Sequence, residues 1–168
     1  IVLTQDYDGM VLRFRDETIK VEYEDEACVH VSVGAGMRWH DWVESSIASY
    51  WYGLENLALI PGMVGAAPVQ NIGAYGIEVA DFIEAVRGVY IDSGESFELD
   101  NTACQFSYRH SVFKGELFQK TVITSVLFRL NKTANIHCHY AALREYLAEH
   151  HPVELERGLL SAVMIKDA

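Results

Sequence analysis

Alternation of apolar and polar positions predicts β-strands in the first part of the chain. Residues 18–23 place Ile, Val and Tyr at every second position, and residues 27–33 do the same with Val. A period of two is typical of a strand with one buried face. An extended segment with a turn near residues 6–9 and a further strand over 10–14 is also predicted. We expect these segments to be antiparallel neighbours joined by acidic turns.

Helical spacing replaces alternation after a Gly-Ala-Gly break at residues 34–36. From Trp39 to Tyr50, apolar side chains recur at every third or fourth position. This spacing predicts a helix over residues 37–50 that buries its aromatic stripe in the core, while Arg38, Asp41 and Glu44 face outwards.

The second half of the chain is predicted to add a β-hairpin, a central strand and two helices. Strands over 83–91 and 96–99 flank a Ser-Gly turn, and Asp100 can cap a short helical turn. Residues 121–130 carry apolar groups on both faces, which is typical of a strand in the middle of a sheet. Helices are predicted over 141–150 and 153–165. The fold class is therefore α+β, a mainly antiparallel sheet flanked by helices.

An uncharged, small-residue segment over residues 53–76 is the most distinctive part of the sequence. It holds five of the twelve glycines and two of the three prolines, and its one charged residue is Glu55. Such a composition is poor for a regular helix or strand, yet too apolar for a solvated linker. Two interpretations stay open: a backbone surface that contacts a ligand, or a buried connector. The segment fits neither the Rossmann nor the Walker pattern.

Net charge and cysteine content limit the partners and the cellular compartment that the sequence suggests. The net charge of −11 disfavours nucleic acid and anionic membrane surfaces as partners. No apolar run approaches the roughly 18 residues of a membrane span. The three cysteines, Cys28, Cys104 and Cys138, are widely spaced and odd in number, which favours free thiols in a reducing compartment. We therefore expect a cytoplasmic protein.

Two motifs, in this order, carry a family resemblance. Residues 61–76 have the sequence PGMVGAAPVQNIGAYG, and residues 104–114 have the sequence CQFSYRHSVFK. Both resemble the UDP-N-acetylenolpyruvoylglucosamine reductase family (MurB), which belongs to the vanillyl-alcohol oxidase-like FAD-binding superfamily. The resemblance covers the chain from Ile1 to about Tyr146.

This resemblance implies a set of site residues. FAD is expected to contact Ile60, Pro61, Gly62, Gly65, Ala66, Val69, Gly73, Ala74, Gly76 and Ile123. The substrate is expected to contact Tyr75, Tyr108, Arg109 and Tyr140. Arg109 is the expected catalytic residue, because the family's arginine binds the enolpyruvyl carboxylate and stabilises negative charge as hydride is added. On composition alone, an ordinary ion pair of Arg109 with one of the 24 acidic residues is the alternative.

The resemblance also implies domain organisation and activity. Residues 1–150 correspond to the central FAD-binding subdomain, and residues 151–168 to a helix leading towards a substrate domain. The family's phosphate-binding loop would precede Ile1. The implied reaction uses NADPH and FAD to reduce UDP-N-acetylglucosamine enolpyruvate in peptidoglycan synthesis. This stretch alone is expected to be inactive and to bind FAD weakly or not at all. Another flavoprotein of the superfamily and a non-catalytic binding module are the alternatives.

Three further predictions concern side chains and surfaces. Ser111 and Lys114 fit the S-x-x-K pattern of penicillin-binding proteins, but the partner motifs S-D-N and K-T-G are absent, so the match is interpreted as chance. His137 and His139 could share a strand face, yet no supporting ligand follows, so no metal is predicted. Apolar surface around Ile60, Val64, Val69 and Ile72 is expected to be uncovered, and either to drive self-association or to be covered by a rearranged segment.

Overall fold

The computed structural model describes residues 8–11, 13–134 and 141–150, and these form an α+β fold. A five-stranded antiparallel sheet has the order β1-β2-β7-β5-β6, and a two-stranded ribbon pairs β3 with β4. The predicted fold class is confirmed. The elements in chain order are β1 (Ile19–Glu24), β2 (Cys28–Gly34), α1 (Trp39–Ala48), β3 (Gly73–Ala74), β4 (Ile77–Glu78), β5 (Ile83–Tyr90), β6 (Ser96–Asp100), β7 (Thr121–Asn131) and α2 (Ala141–His150).

The longest strand, β7, is the middle of the sheet, as its apolar residues on both faces predict. It pairs with β2 on one side and β5 on the other. Its inward-facing residues Val126, Phe128 and Leu130 are fully buried. Helix α1 packs on this strand, since the rings of Trp39 and Trp42 lie 6.1 and 5.5 Å from the ring of Phe128. The aromatic stripe is therefore core, as predicted.

The helix is shorter than the predicted range of residues 37–50. It begins at Trp39 and ends at Ala48. Tyr50, which the helical spacing placed in the core stripe, is exposed. It adopts a left-handed backbone conformation with φ of 60°, so it belongs to the turn after the helix and its side chain leaves the stripe.

The first strand forms where predicted, but its apolar residues are not buried. Ile19, Val21 and Tyr23 are all exposed. A bulge between Val21 and Tyr23 shifts the register, so Val21 pairs with Val31 while Tyr23 pairs with His30. Because Val31 and His30 point to opposite faces of β2, the prediction that Ile19, Val21 and Tyr23 share one face is wrong.

The predicted strand over residues 10–14 is also wrong for the part that the structure describes. Residues 10, 11, 13 and 14 belong to no strand. The chain that follows contacts the end of β2 through two single hydrogen bonds, Gly36 N–H to Asp16 O and Gly34 N–H to Thr18 O, each 2.8 Å long. Alternation alone could not show that this segment lacks a ladder partner.

The predicted β-hairpin and the predicted capping hydrogen bond to the Asp100 side chain are confirmed. Strands β5 and β6 pair antiparallel around a turn in which Gly94 has φ of 71°. The Ala103 N–H donates to Asp100 Oδ1 at 2.7 Å, although residues 101–105 form turns and not a helix. Helix α2 has the predicted bounds. The helix predicted over 153–165 lies outside the described residues.

An ion-pair network crosses the sheet face opposite α1. Arg87 of β5 binds both carboxylate oxygens of Glu22 on β1, at 2.6 and 3.0 Å, and its Nε lies 2.5 Å from Glu98 Oε2 on β6. The guanidinium passes the small side chain of Ser32 on β2, at 3.4 Å. Hydrogen bonding to Arg87 lowers the pKa of Glu22.

The apolar surface differs from the one expected. Val64 and Ile72 are buried, while Ile60 and Val69 are half-buried. Val64 and Ile72 belong to the main hydrophobic core, and Ile60 and Val69 pack against it. Exposed apolar side chains lie instead on Met10, Val11, Phe14 and Met63, among others.

Candidate functional site

A largely apolar cleft lies beside β7, between the segment near residue 65 and the turns before the strand. It encloses about 630 Å³. This volume falls in the range of small-molecule and cofactor sites. The lining residues are Val11, Arg13, Phe14, Ala35, Met63, Gly65, Val69, Phe113, Leu117, Gln119, Thr121 and Ile123. Among them only Arg13 carries a formal charge.

Backbone hydrogen bonds fix the wall of this cleft. Gly65 N–H donates to Ala35 O at 3.1 Å, and Val64 N–H donates to Met37 O at 2.9 Å. A Cβ on Gly65 would lie only 2.6 Å from the Cβ of Ala35, so no larger residue fits without displacement. The small-residue composition thus lets one loop lie flat against another and form a smooth wall.

The predicted FAD contacts divide into three groups. Gly65, Val69 and Ile123 line the cleft. The others do not line it: Ile60, Pro61 and Gly62 lie in the loop before residue 63, and Ala66 ends a short 3₁₀ helix over Val64–Ala66. Gly73, Ala74 and Gly76 belong to the ribbon of β3 and β4 and its turn. Roles for all of these residues stay predictions.

Arg109 projects from a tight turn towards the same segment. Ser107 and His110 exchange two backbone hydrogen bonds of 3.0 Å, and Arg109 between them has φ of 54°. Its guanidinium donates to the carbonyl oxygens of Asn71, at 3.3 Å, and Gly73. A conformation that is uncommon for a residue with a side chain is often found at functional sites.

The charge of Arg109 is only loosely matched by an acid. Glu78 Oε1 lies 3.8 Å from its Nη1, and the Tyr108 ring centroid is 5.1 Å from its Cζ. The side chain of Arg109 is 38% exposed. Two of its five N–H donors therefore hold the segment, while the group keeps access to solvent and can accept an anionic partner. Among the described residues, the ordinary ion pair that composition allowed for Arg109 is represented by this long contact with Glu78.

Asn71 joins the pieces around Arg109. It is fully buried, and its Nδ2 donates to Glu78 Oε2 at 2.7 Å and to Ser107 O at 3.0 Å. Its Oδ1 accepts from Ala80 N–H at 3.1 Å. The amide thereby ties the cleft segment to the ribbon and to the turn that carries Arg109. The sequence analysis did not identify this role, although Asn71 lies within the first motif.

The predicted substrate tyrosines lie at the surface. Tyr75 is 50% exposed and Tyr108 is 81% exposed. Both positions suit contact with a ligand outside the cleft. Tyr140, together with His137 and His139, lies outside the described residues.

Ser111 and Lys114 of the second motif, residues 104–114, make structural hydrogen bonds. Ser111 is fully buried, donates to Val69 O at 2.7 Å and accepts from Phe113 N–H at 3.3 Å. Lys114 Nζ donates to Arg109 O at 3.1 Å. These contacts attach the motif to the cleft wall and leave Ser111 unsuited to nucleophilic attack. Burial raises the pKa of the Cys104 thiol in this motif to about 12.

Several cleft residues escaped the sequence analysis. Val11, Arg13 and Phe14 were assigned to a strand, and Gln119, with φ of 58°, precedes β7 without any motif. Phe113 was visible in the second motif, but only as a neighbour of Arg109. No local signal identifies the others, because they meet only in the folded chain.

Comparison with known proteins identifies the family. The family model described as FAD binding domain matches residues 2–100, more than half of the chain. The chain belongs to the FAD-binding domain family.

Three similar curated proteins are each named UDP-N-acetylenolpyruvoylglucosamine reductase. That of Chromobacterium violaceum is 44% identical over 148 residues, which cover 88% of this chain and 43% of the relative. That of Shewanella oneidensis is 46% identical over 149 residues, 89% of this chain and 43% of the relative. That of Amoebophilus asiaticus is 39% identical over 165 residues, 98% of this chain and 49% of the relative.

A solved structure agrees with these matches. The MurB reductase from Thermus caldophilus superposes with a TM-score of 0.53 at 26% identity, covering 74% of this chain and 42% of that one. The resemblance to the reductase family is confirmed. The chain spans less than half the length of the curated relatives described above.

The cleft fits FAD. Its smooth wall at Gly65 and its apolar side chains suit a flat ring system, and Arg13 is a cation available to a phosphate. In the described part of the chain, no three His, Cys, Asp or Glu side chains come together in a way that could hold a metal ion. None of the described helices has the length and apolar character needed to cross a membrane.

Proposed function

We propose that this chain supplies the FAD-contacting part of an NADPH-dependent UDP-N-acetylenolpyruvoylglucosamine reductase. The observation that carries the proposal is the attachment of Arg109 to Asn71 and Gly73, in the same segment that forms the cleft wall at Gly65 and Val69. One rigid segment would thereby set the distance between the cofactor and an anion-binding guanidinium.

Each part of the chain then has a distinct task. Residues 1–150 form the central subdomain and residues 151–168 lead towards the part that completes the substrate site. The cleft binds FAD, which supplies hydride transfer when bound. The apolar walls hold the ring and exclude water. The remaining donors of Arg109 bind the enolpyruvyl carboxylate and stabilise negative charge developing beside it. Tyr75 and Tyr108 contact the substrate.

The reductant and the setting follow from the same proposal. NADPH reduces the bound flavin, and UDP-N-acetylglucosamine enolpyruvate is the acceptor. The free, buried thiols of Cys28 and Cys104 are in keeping with the cytoplasm. On its own this stretch should not turn over substrate, because the cleft and Arg109 form only part of the site.

Steady-state kinetics test the proposal. The reading frame that encodes this chain, whatever its length, would be expressed and NADPH oxidation followed with the enolpyruvyl sugar. Arg109→Ala should lower kcat/KM by about 100-fold or more, because a charged donor to the developing anion is lost. Arg109→Lys should restore only part of that loss, since Lys lacks the planar fork.

A matched control is available on α1. Arg38 is exposed and has only a 3.8 Å pairing with Asp41, so Arg38→Ala should leave kcat/KM unchanged. If the reading frame reaches the length of the curated relatives, failure of the enolpyruvyl sugar to support NADPH oxidation would overturn the assignment, as would an Arg109→Ala variant with wild-type kinetics.

A further inference from the structure

A nucleophile, a base and a carboxylate lie in line on the sheet face that carries Arg87, away from the FAD cleft. Cys28 and His30 are two residues apart on β2 and therefore share a face. Cys28 Sγ is 3.6 Å from His30 Nε2. On the other side of the ring, His30 Nδ1 is hydrogen-bonded to Glu84 Oε2 of β5.

A β-bulge explains how Glu84 reaches His30 across β7. The register of β5 against β7 passes from Ile83–Phe128 to Ala85–Leu127, so Glu84 is the extra residue. Bulges redirect a side chain and are frequent beside functional sites. The carboxylate is thereby placed over the imidazole.

The hydrogen bond to Glu84 fixes the histidine tautomer. A carboxylate accepts the proton of Nδ1, so Nε2 keeps its lone pair and faces the Cys28 sulfur. A base that is itself oriented by a third group, within reach of a thiol, is the general arrangement for activating a nucleophile.

Two opposite charges also face the thiol. The Cys28 thiol donates to Asp25 Oδ2 at 3.7 Å, and the backbone N–H groups of Cys28 and Ala27 donate to Asp25 Oδ1 and lower the pKa of Asp25. Arg129 on β7 hydrogen-bonds to Cys28, and this contact raises the pKa of Arg129. The thiol therefore has one acidic and one basic neighbour besides His30, whose Nε2 is the nitrogen that faces the sulfur.

We propose that Cys28 is a modification site, a thiol that His30 activates for reaction with hydrogen peroxide. His30 Nε2 accepts the thiol proton and the sulfur attacks one peroxide oxygen. The O–O bond breaks, and the departing hydroxide takes the proton from the imidazolium to leave as water. The sulfur is oxidised by two electrons to a sulfenic acid while the peroxide is reduced. Cys28 is 5% exposed, so the site favours an oxidant as small as peroxide.

Cys104 provides an internal comparison. It is also buried and free, but its sulfur contacts a backbone carbonyl, Leu99 O at 3.7 Å, and no imidazole among the residues that the structure describes. Burial raises its pKa to about 12, so it is a thiol without a base. The two cysteines differ in their partners within the same folded protein.

Peptide mapping after peroxide treatment tests the proposal. The purified protein would be exposed to hydrogen peroxide, quenched with catalase, denatured and alkylated, so that each cysteine is followed separately. Cys28 should lose alkylation at least about tenfold faster than Cys104, and dithiothreitol should restore it. His30→Gln should lower the Cys28 rate about tenfold, and Glu84→Gln should lower it less. Glu95→Gln, a surface change on the β5–β6 turn, should leave it unchanged.

The folded state must be the cause of the rate difference. In denaturing urea the two cysteines of the wild-type protein should react at similar rates, so this comparison remains decisive even if His30→Gln does not fold. Equal rates in the native protein would overturn the proposal, as would a folded His30→Gln variant that keeps the wild-type Cys28 rate. Neither result depends on reductase activity.

Discussion

Replacing Asn71 with alanine should strongly destabilise the fold, because this buried amide joins three separate segments. The substitution removes two donated hydrogen bonds and one accepted bond at a residue with no solvent exposure. It also places alanine in a left-handed conformation, since Asn71 has φ of 45°.

The expected cost follows from these contacts. A buried group that loses its partner costs about 1–3 kcal/mol, and water can replace part of the loss at Glu78, which is half-buried. The left-handed conformation adds about 1 kcal/mol for alanine. Asn71→Ala should therefore lower the free energy of unfolding by about 3–5 kcal/mol. For a chain of this size, that corresponds to a fall in Tm of about 10 °C.

Urea and thermal unfolding followed by circular dichroism measure this difference. Asn101→Ala is the matched control: Asn101 is exposed and donates to Ala80 O and Ile83 O, each at 2.8 Å. Loss of those bonds to water should cost only about 1 kcal/mol. The argument from burial fails if both variants lose equal stability, or if Asn71→Ala loses less than about 1 kcal/mol.

Three further predictions concern the core and the ion-pair network. Trp39→Phe should cost about 1 kcal/mol more than Trp42→Phe in urea unfolding. The Trp39 indole N–H donates to a backbone carbonyl at 2.7 Å, whereas the Trp42 indole N–H has no partner among the described residues. Equal costs would contradict this prediction. Gly88→Ala should lower the free energy of unfolding by about 2 kcal/mol, because the new Cβ would lie 2.4 Å from a carbonyl oxygen of β7. Gly94→Ala meets open space and should cost about 1 kcal/mol, because Gly94 has φ of 71°. Glu22, whose pKa the ion pair lowers, should contribute stability above its unfolded pKa and lose it as pH falls through the folded pKa. Glu22→Gln should therefore be less stable than wild type at neutral pH. The difference should begin to shrink near the unfolded pKa of about 4.3 and disappear only when the pH falls below the lower folded pKa; a constant difference would refute the linkage.

Local patterns predicted most of the secondary structure, because the spacing of apolar residues follows the geometry of strands and helices. Strand β7, helix α2 and the β5–β6 hairpin have strong periodicity or turn residues at their ends, and they appear close to the predicted positions. Burial was harder to predict. Strand β1 alternates as clearly as β2, yet it lies at the edge of the sheet and its apolar residues are exposed.

Some residues of the candidate site were predicted from the sequence and others were missed, because only some of them lie within a recognisable motif. The family resemblance of the two motifs predicted site roles for Gly65, Val69 and Arg109; the structure places Gly65 and Val69 on the cleft and bonds Arg109 to the same segment, while their roles stay predictions. Arg13 and Gln119 come from unrelated segments and join the cleft only through folding. The use of Asn71 as a connector was likewise invisible, since a polar residue is informative only once its burial is known.

The sequence by itself determined the fold class, the family and the segment that would form a smooth wall, since periodicity, small residues and motif spacing are properties of neighbouring positions. Only the tertiary structure decided which faces are buried, where the cleft lies and which donors hold Arg109. Those features depend on bulges and on contacts between distant segments: a one-residue bulge at Glu22 or Glu84 redirects a side chain, and no local pattern records it.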